Sequence, residues 1–192
     1  MQLMIFDLDG VLVDTKDMHF EALNKALIEH NYLPISYEDH LSKYNGLPTL
    51  TKLDMLGAPE EVAKTKQKYT SFDNVKEDKE LIALLSKLAE HNILCVASNS
   101  IRSSILTALK NLGVGHLFLF IRSNEDVVKP KPDPEIYNEL IDHFPMLHSV
   151  IFEDSPIGLK AAWDSRASEV IKIQNRDHLV KVLNEYINSN GW

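Results

Sequence analysis

A short apolar run, Leu3-Met4-Ile5-Phe6, breaks off into Asp7-Leu8-Asp9-Gly10, and this junction constrains the fold more than any other stretch. The run has the length and composition of a buried strand. Asp7 and Asp9 are two residues apart, so a strand running out through them sends both carboxylates to one side. Gly10 then lets the backbone turn sharply, because no Cβ forbids positive φ. A buried strand tipped with two acids suits an open α/β sheet, where ligands bind beyond the carboxyl ends of the strands. Alone, an Asp-Gly pair is also an ordinary solvated turn. The rest of the chain decides between the two.

After Asp14 the pattern turns helical. Phe20, Leu23, Ala26 and Leu27 recur at helical spacing up to about His30, where Asn31 and Pro34 close the segment. Further helices are predicted over 37–43, 49–56 and 59–70, the last opened by Pro59 with Glu60 and Glu61 in its first turn. Nothing in 14–78 reads as a strand. From residue 79 on, helices and apolar strands alternate: a helix over 79–91, a strand at 93–97, a helix ending at Gly113, a strand at 117–121, a helix over 134–143, a strand at 150–152, a helix over 156–162, a strand at 170–173 and a helix over 177–189. Such alternation implies a doubly wound, parallel, five-stranded Rossmann-like sheet. The expected division is an α/β core from 1–13 and 79–192, with a small helical domain, 14–78, inserted after the first strand.

A chain of 192 residues suffices for one such core with a modest insert. The net charge of −8 argues against a nucleic-acid backbone as partner, though a bound cation can still draw in a phosphorylated small molecule. The single cysteine, Cys95, lies in an apolar run and is expected to be a small buried hydrophobe, with no internal disulfide. No segment has the length and apolarity of a membrane span, and the N-terminus lacks the basic start and long apolar stretch of a signal peptide. A cytoplasmic monomer without membrane contact is therefore expected. Lys64, Lys66 and Lys68 form the one basic run, which on its own reads as a solvated helix face.

Four strand ends present polar groups: Asp7 and Asp9, Ser98 and Asn99, Lys129, and Glu153 with Asp154. Singly, each has a plain structural explanation as an N-cap, a surface charge or a helix-start acid. Together they suit phosphoryl transfer through a covalent aspartyl phosphate. A carboxylate can attack phosphorus, but it must approach an anion, so a hard cation is needed between them. Mg²⁺ takes a few carboxylates plus waters and substrate oxygens, and Asp7, Glu153 and Asp154 are the candidates to hold it. Lys129 would add a second positive charge and Ser98 a hydroxyl donor to the phosphoryl oxygens. Asp9 is placed to protonate the leaving alkoxide and later to take a proton from water.

At this point the sequence resembles the haloacid dehalogenase-like hydrolases over essentially the whole chain. FDLDGVLVD, VASNS, KPKPDPEIY and FEDSPIGLKAA are similar to the four motifs of that family, in order. The resemblance implies Asp7 as nucleophile, Asp9 as acid/base and through its main-chain carbonyl a metal ligand, Ser98 and Lys129 as phosphate-binding residues, and Glu153 and Asp154 as metal acids. The insert resembles the helical cap of the β-phosphoglucomutase-like branch. DTKDMHFEAL would set His19 beside Asp9, AKTKQKY would turn Lys66 to the substrate, and YNGLPTL would make Gly46 part of a specificity loop. Thr49 departs from that branch, whose mutases carry an arginine there for the second phosphate of a bisphosphate.

The resemblance thus implies a Mg²⁺-dependent phosphatase of a small phosphorylated metabolite, with a phosphosugar mutase as the alternative. A dehalogenase is disfavoured by the acid at Asp9. A phospho-receiver domain also joins acids, a hydroxyl and a lysine on a doubly wound sheet, but the insert after Gly10 and the Asp-x-Asp-Gly spacing speak against it. A pseudoenzyme binding module is disfavoured because no motif residue is missing.

Overall fold

The computed structural model describes residues 1–191. Strand β1 (Leu3–Phe6) is buried along its whole length because it is the middle strand of the sheet. It pairs in parallel with β2 (Ile93–Ala97) on one side and β4 (Ser149–Glu153) on the other. Strands β3 (Phe120–Arg122) and β5 (Glu169–Lys172) complete the order β3-β2-β1-β4-β5, all parallel. The order reverses direction at β1, and Asp7 follows directly on the end of β1.

The sheet is apolar on both faces, and the alternation of side chains sorts them cleanly. Met4, Phe6, Leu94, Val96, Val150 and Phe152 pack on one face against α5 (Lys79–Ala89), α6 (Arg102–Leu112) and α9 (Arg176–Ser189). Leu3, Ile5, Cys95, Ala97 and Ile151 pack on the other against α7 (Glu135–His143) and α8 (Pro156–Asp164). Phe6 and Phe152 stack at 4.4 Å between neighbouring strands. Cys95 is fully buried and unpaired, and burial pushes its thiol up to about 12, so it is a packing residue.

Between β1 and α5 the chain is helical, as its pattern indicated: α1 (Lys16–Glu29), α2 (Tyr37–Asp39), α3 (Thr49–Leu56) and α4 (Glu61–Tyr69). These helices share a separate apolar cluster that includes Leu23, Leu27, Leu53 and Val62. The helix read over 37–43 is one α turn that widens into a π-helical turn at His40–Tyr44. The third strand also shifts. Gly115–Leu117 is a 3₁₀ turn and Phe118 turns into the core, so pairing with β2 begins only at Phe120. An apolar run does not reveal which of its residues are laddered and which are merely packed. Among the described residues, no helix is long and apolar enough to cross a membrane.

Candidate active site

The carboxyl ends of β1, β2 and β4 converge below α1, α3 and α4 on a cavity of about 500 Å³. Asp7, Asp9, Ser98, Asn99 and Glu153 line it from the sheet side, and His19, Gly46 and Lys66 from the helical insert. The bend after Asp9 depends on Gly10. Its φ is +92°, and a Cβ there would collide with the Asp154 carboxylate. Gly10→Ala is therefore expected to cost about 1–3 kcal/mol in backbone strain alone and to push Asp154 off its position. A urea melt indistinguishable from that of the unaltered protein would contradict this.

Asp7 is 6 % exposed, and its Oδ1 accepts a hydrogen bond from Lys131 Nζ at 2.8 Å. The same ammonium donates to Glu153 Oε1 at 2.7 Å and to the Ala97 carbonyl at 2.9 Å, and lies 4.7 Å from the centre of the Tyr137 ring. Burial raises the Asp7 carboxyl well above the ordinary range; Lys131 opposes the shift, and Glu153, Asp9 and Asp154 add to it. Lys131 is fixed as an ammonium, because the Asp7 and Glu153 charges outweigh its burial.

The motif lysine is thus Lys131, and the expectation for Lys129 is corrected. The Lys129 side chain is 71 % exposed, and its nearest acid is Asp133 at 4.0 Å. Backbone anchoring accounts for the difference. Asn99, at the end of β2, accepts from the Lys131 amide and donates to the Lys131 carbonyl, both at 3.0 Å, which draws residue 131 against the sheet. The amides of Val128 and Lys129 are instead held on the outside by Glu135, in the first turn of α7. Asn99 also donates to the Gly46 carbonyl at 2.8 Å, which ties the insert's loop to the sheet.

Asp9 is tightly held. Its Oδ1 accepts from the Thr15 hydroxyl and contacts His19 Nε2 at 3.1 Å; its Oδ2 accepts from Ser100 Oγ at 2.7 Å, with Ser98 Oγ at 3.5 Å. Burial works against ionisation, but His19, Thr15 and Ser100 together hold the carboxyl well below its usual range. His19 is pushed down by burial, with Asp9 opposing. Thr15 and Ser100 were not foreseen. Their only trace in the sequence is a hydroxyl residue just after the first motif and another at the last position of the second.

Glu153 is fully buried and saturated. Its Oε1 accepts from Lys131 and from the Tyr137 hydroxyl at 3.0 Å; its Oε2 accepts from the amides of Asp154 and Ser155. Gly158 permits this, since a Cβ there would overlap the Glu153 carboxylate. Asp154 pairs through Oδ2 with Lys16 Nζ at 2.8 Å, while its Oδ1 is buried with no hydrogen-bond partner. Asp7, Glu153 and Asp154 each bring a carboxylate oxygen within 4.8 Å of the others. An all-oxygen set with one orphaned buried oxygen fits a hard divalent cation. The Asp9 carboxylate is fully engaged, so only its main-chain carbonyl is left for such an ion.

Of the basic run, Lys66 alone turns inward. It is 5 % exposed, with Nζ 3.4 Å from His19 Nδ1, while Lys64 and Lys68 stay on the solvated side. One helix over, Lys52 of α3 is also buried and also lines the cavity. Thr49 lines the same wall one turn earlier. Lys52 carries no helical or motif signal that separates it from a surface lysine, and sequence reasoning missed it.

The sequence profile of the haloacid dehalogenase-like hydrolases matches residues 4–170. The chain belongs to that family and is an enzyme of it. Among curated relatives it is 27 % identical over 179 residues to a phosphorylated carbohydrates phosphatase of Thermotoga maritima, covering 84 % of this chain and 80 % of that one. It is 31 % identical over 149 residues to the pyrophosphatase PpaX of Oceanobacillus iheyensis, covering 69 % and 64 %. Among solved structures, a β-phosphoglucomutase from Clostridium difficile superposes with a TM-score of 0.77 over 98 % of this chain and 99 % of that one, at 21 % identity, a likeness of fold alone.

Proposed function

We propose that the protein is a Mg²⁺-dependent phosphatase that hydrolyses a small, phosphosugar-like monoester through a phosphoryl group carried on Asp7. The observation that carries this reading is the pairing of two differently treated carboxylates in one cavity. Asp7 is backed by a buried ammonium, and Asp9 is oriented by three donors two residues away. Residues 14–78 serve as the cap over a core built from 1–13 and 79–192.

An Asp7 oxygen attacks phosphorus, and the bond from phosphorus to the leaving oxygen breaks. Asp9 enters this step protonated and passes that proton to the leaving alkoxide oxygen, which leaves Asp9 as a carboxylate beside His19. Asp9, held as a carboxylate, then takes a proton from the water that attacks phosphorus, and the Asp7–phosphorus bond breaks to release inorganic phosphate. Lys131 balances charge at Asp7 throughout, and Ser98 lies within reach of the phosphoryl oxygens. Asp7, Asp154 and the Asp9 carbonyl, with Glu153 behind them, would hold a magnesium ion, and it would supply the positive charge that lets an anionic nucleophile meet an anionic phosphate. Tyr137, Lys131 and the amides of residues 154 and 155 keep Glu153 fixed, and so keep its neighbours in place.

The phosphatase names of the relatives support hydrolysis. The mutase reading is favoured by a different observation: the far wall of the cavity holds two buried lysines, Lys52 and Lys66, although Thr49 replaces the mutase arginine. Two point charges lack the bidentate fork by which arginine fixes a phosphate. A distal phosphate held without that fork is expected to leave before it reorients. Phosphate release from p-nitrophenyl phosphate and a phosphosugar panel is therefore expected with Mg²⁺ and at background level after EDTA treatment. β-Glucose 1-phosphate, primed with its 1,6-bisphosphate and coupled to glucose-6-phosphate dehydrogenase, is expected to isomerise more slowly than phosphate is released. Faster isomerisation would install the mutase reading, and full activity in EDTA would remove the metal.

A further inference from the structure

The phosphatase chemistry uses the sheet side of the cavity and leaves Lys52 without a role. Lys52 is 6 % exposed and Lys66 5 %, and both line the cavity. Among the described residues, neither ammonium forms a salt bridge, and Lys52 makes no side-chain hydrogen bond. Lys66 has only His19 at 3.4 Å, a basic group. The acids that share the cavity are committed elsewhere. Asp9 is taken by Thr15, His19 and Ser100, Asp7 and Glu153 by Lys131, and Glu125 by the Arg102 amide at 2.6 Å.

Burying an ammonium without a counter-charge is expensive, and burying two side by side compounds the cost. Burial and the neighbouring Lys66 charge bring Lys52 down to about 7, and burial brings Lys66 down to about 8, with the Asp9 charge only partly opposing in each case. Nothing in the packing requires this. Leu53 and Val62 already belong to the apolar cluster of these helices, and an apolar residue at 52 would cost less. Two buried cations facing a cavity, with no acid of their own, are a site for an anion that arrives from outside.

We propose that Lys52, together with Lys66, binds a second anionic group on the leaving-group side of the substrate, so that the preferred substrates are small phosphomonoesters that also carry a carboxylate or a second phosphoryl group. This rests on the phosphatase reading above. The two ends of such a molecule divide between the two walls: the phosphoryl group to be transferred goes to Asp7 and Lys131, the other anion to the cap. A cavity of about 500 Å³ holds a short carbon skeleton between them.

The experiment compares kcat/KM for matched pairs that differ only in the second anion: 2-phosphoglycolate against 2-hydroxyethyl phosphate, and fructose 1,6-bisphosphate against fructose 6-phosphate. p-Nitrophenyl phosphate serves as a reference ester. The anionic member of at least one pair is expected to lead by roughly 10- to 100-fold, the range of a charge-assisted contact. That ratio is expected to collapse towards one in Lys52→Met and to persist in Lys52→Arg, which keeps the charge. Equal turnover of both members of each pair in the unaltered protein overturns the proposal, as does a ratio that Lys52→Met leaves in place. If p-nitrophenyl phosphate is hydrolysed but no ratio appears, the anion site alone fails. If no ester at all releases phosphate, the phosphatase reading fails and takes the anion site with it.

Discussion

Asp7→Asn is expected to abolish turnover, with a loss of at least roughly a thousandfold, while leaving the protein folded. An amide cannot attack phosphorus, but it occupies the same space. Its oxygen can still accept the hydrogen bond that Lys131 now gives to Asp7 Oδ1 at 2.8 Å. The exchange also removes one of the clustered negative charges at the end of β1, a place where burial already opposes ionisation of Asp7. Stability is therefore expected to stay within about 1 kcal/mol of the unaltered protein. Phosphate release and a urea melt, measured on the same preparation, check both halves. The unaltered protein with Mg²⁺ is expected to trap a trifluoroberyllate on Asp7, and Asp7→Asn is not. Retention of more than a few per cent of activity, once deamidation back to aspartate has been excluded by mass, would end the covalent reading.

The second large effect separates two lysines that stand two residues apart. Lys131→Met is expected to destabilise the protein by about 3–5 kcal/mol, because it leaves Asp7 and Glu153 as buried carboxylates without their cation. Glu153 cannot turn to solvent: it is fully buried, and its other oxygen is already bound to the amides of Asp154 and Ser155. Set against a typical total of about 5–15 kcal/mol, that loss is a large part of the whole. Lys129→Met is expected to change stability by no more than about 0.5 kcal/mol, since its exposed ammonium reaches only Asp133 at 4.0 Å. Phosphate release should fall with Lys131→Met and hold with Lys129→Met. Equal shifts in the two urea midpoints would return the motif role to an open choice between them.

The KPKP stretch marks the limit of what could be read from the chain. A proline follows each of its two lysines, and either could head a Lys-Pro-x-Pro pattern. Only the hydrogen bonds from Asn99, thirty-two residues away, draw residue 131 under the sheet and leave residue 129 outside. Lys52 makes the same point in the helical insert. On α3 it reads as one more polar helix residue, and its burial follows from α4 bringing Lys66 and the cavity wall up against it.

The sequence by itself determined the sheet and the position of the site. Strands apolar on both faces must be covered by helices on both sides, and acids at the tips of two such strands, with Ser98 and Asn99 at the tip of a third, must meet where those tips meet. These are local, periodic signals, and a single chain displays them in full. The tertiary structure alone decided which donors grip Asp9, which lysine backs Asp7, and which buried lysines of the insert are left without an ion-pair partner. Those outcomes rest on contacts between segments far apart in the chain, where burial and the presence or absence of a partner set the charge of each group. Neither quantity is written in the identity of the residue.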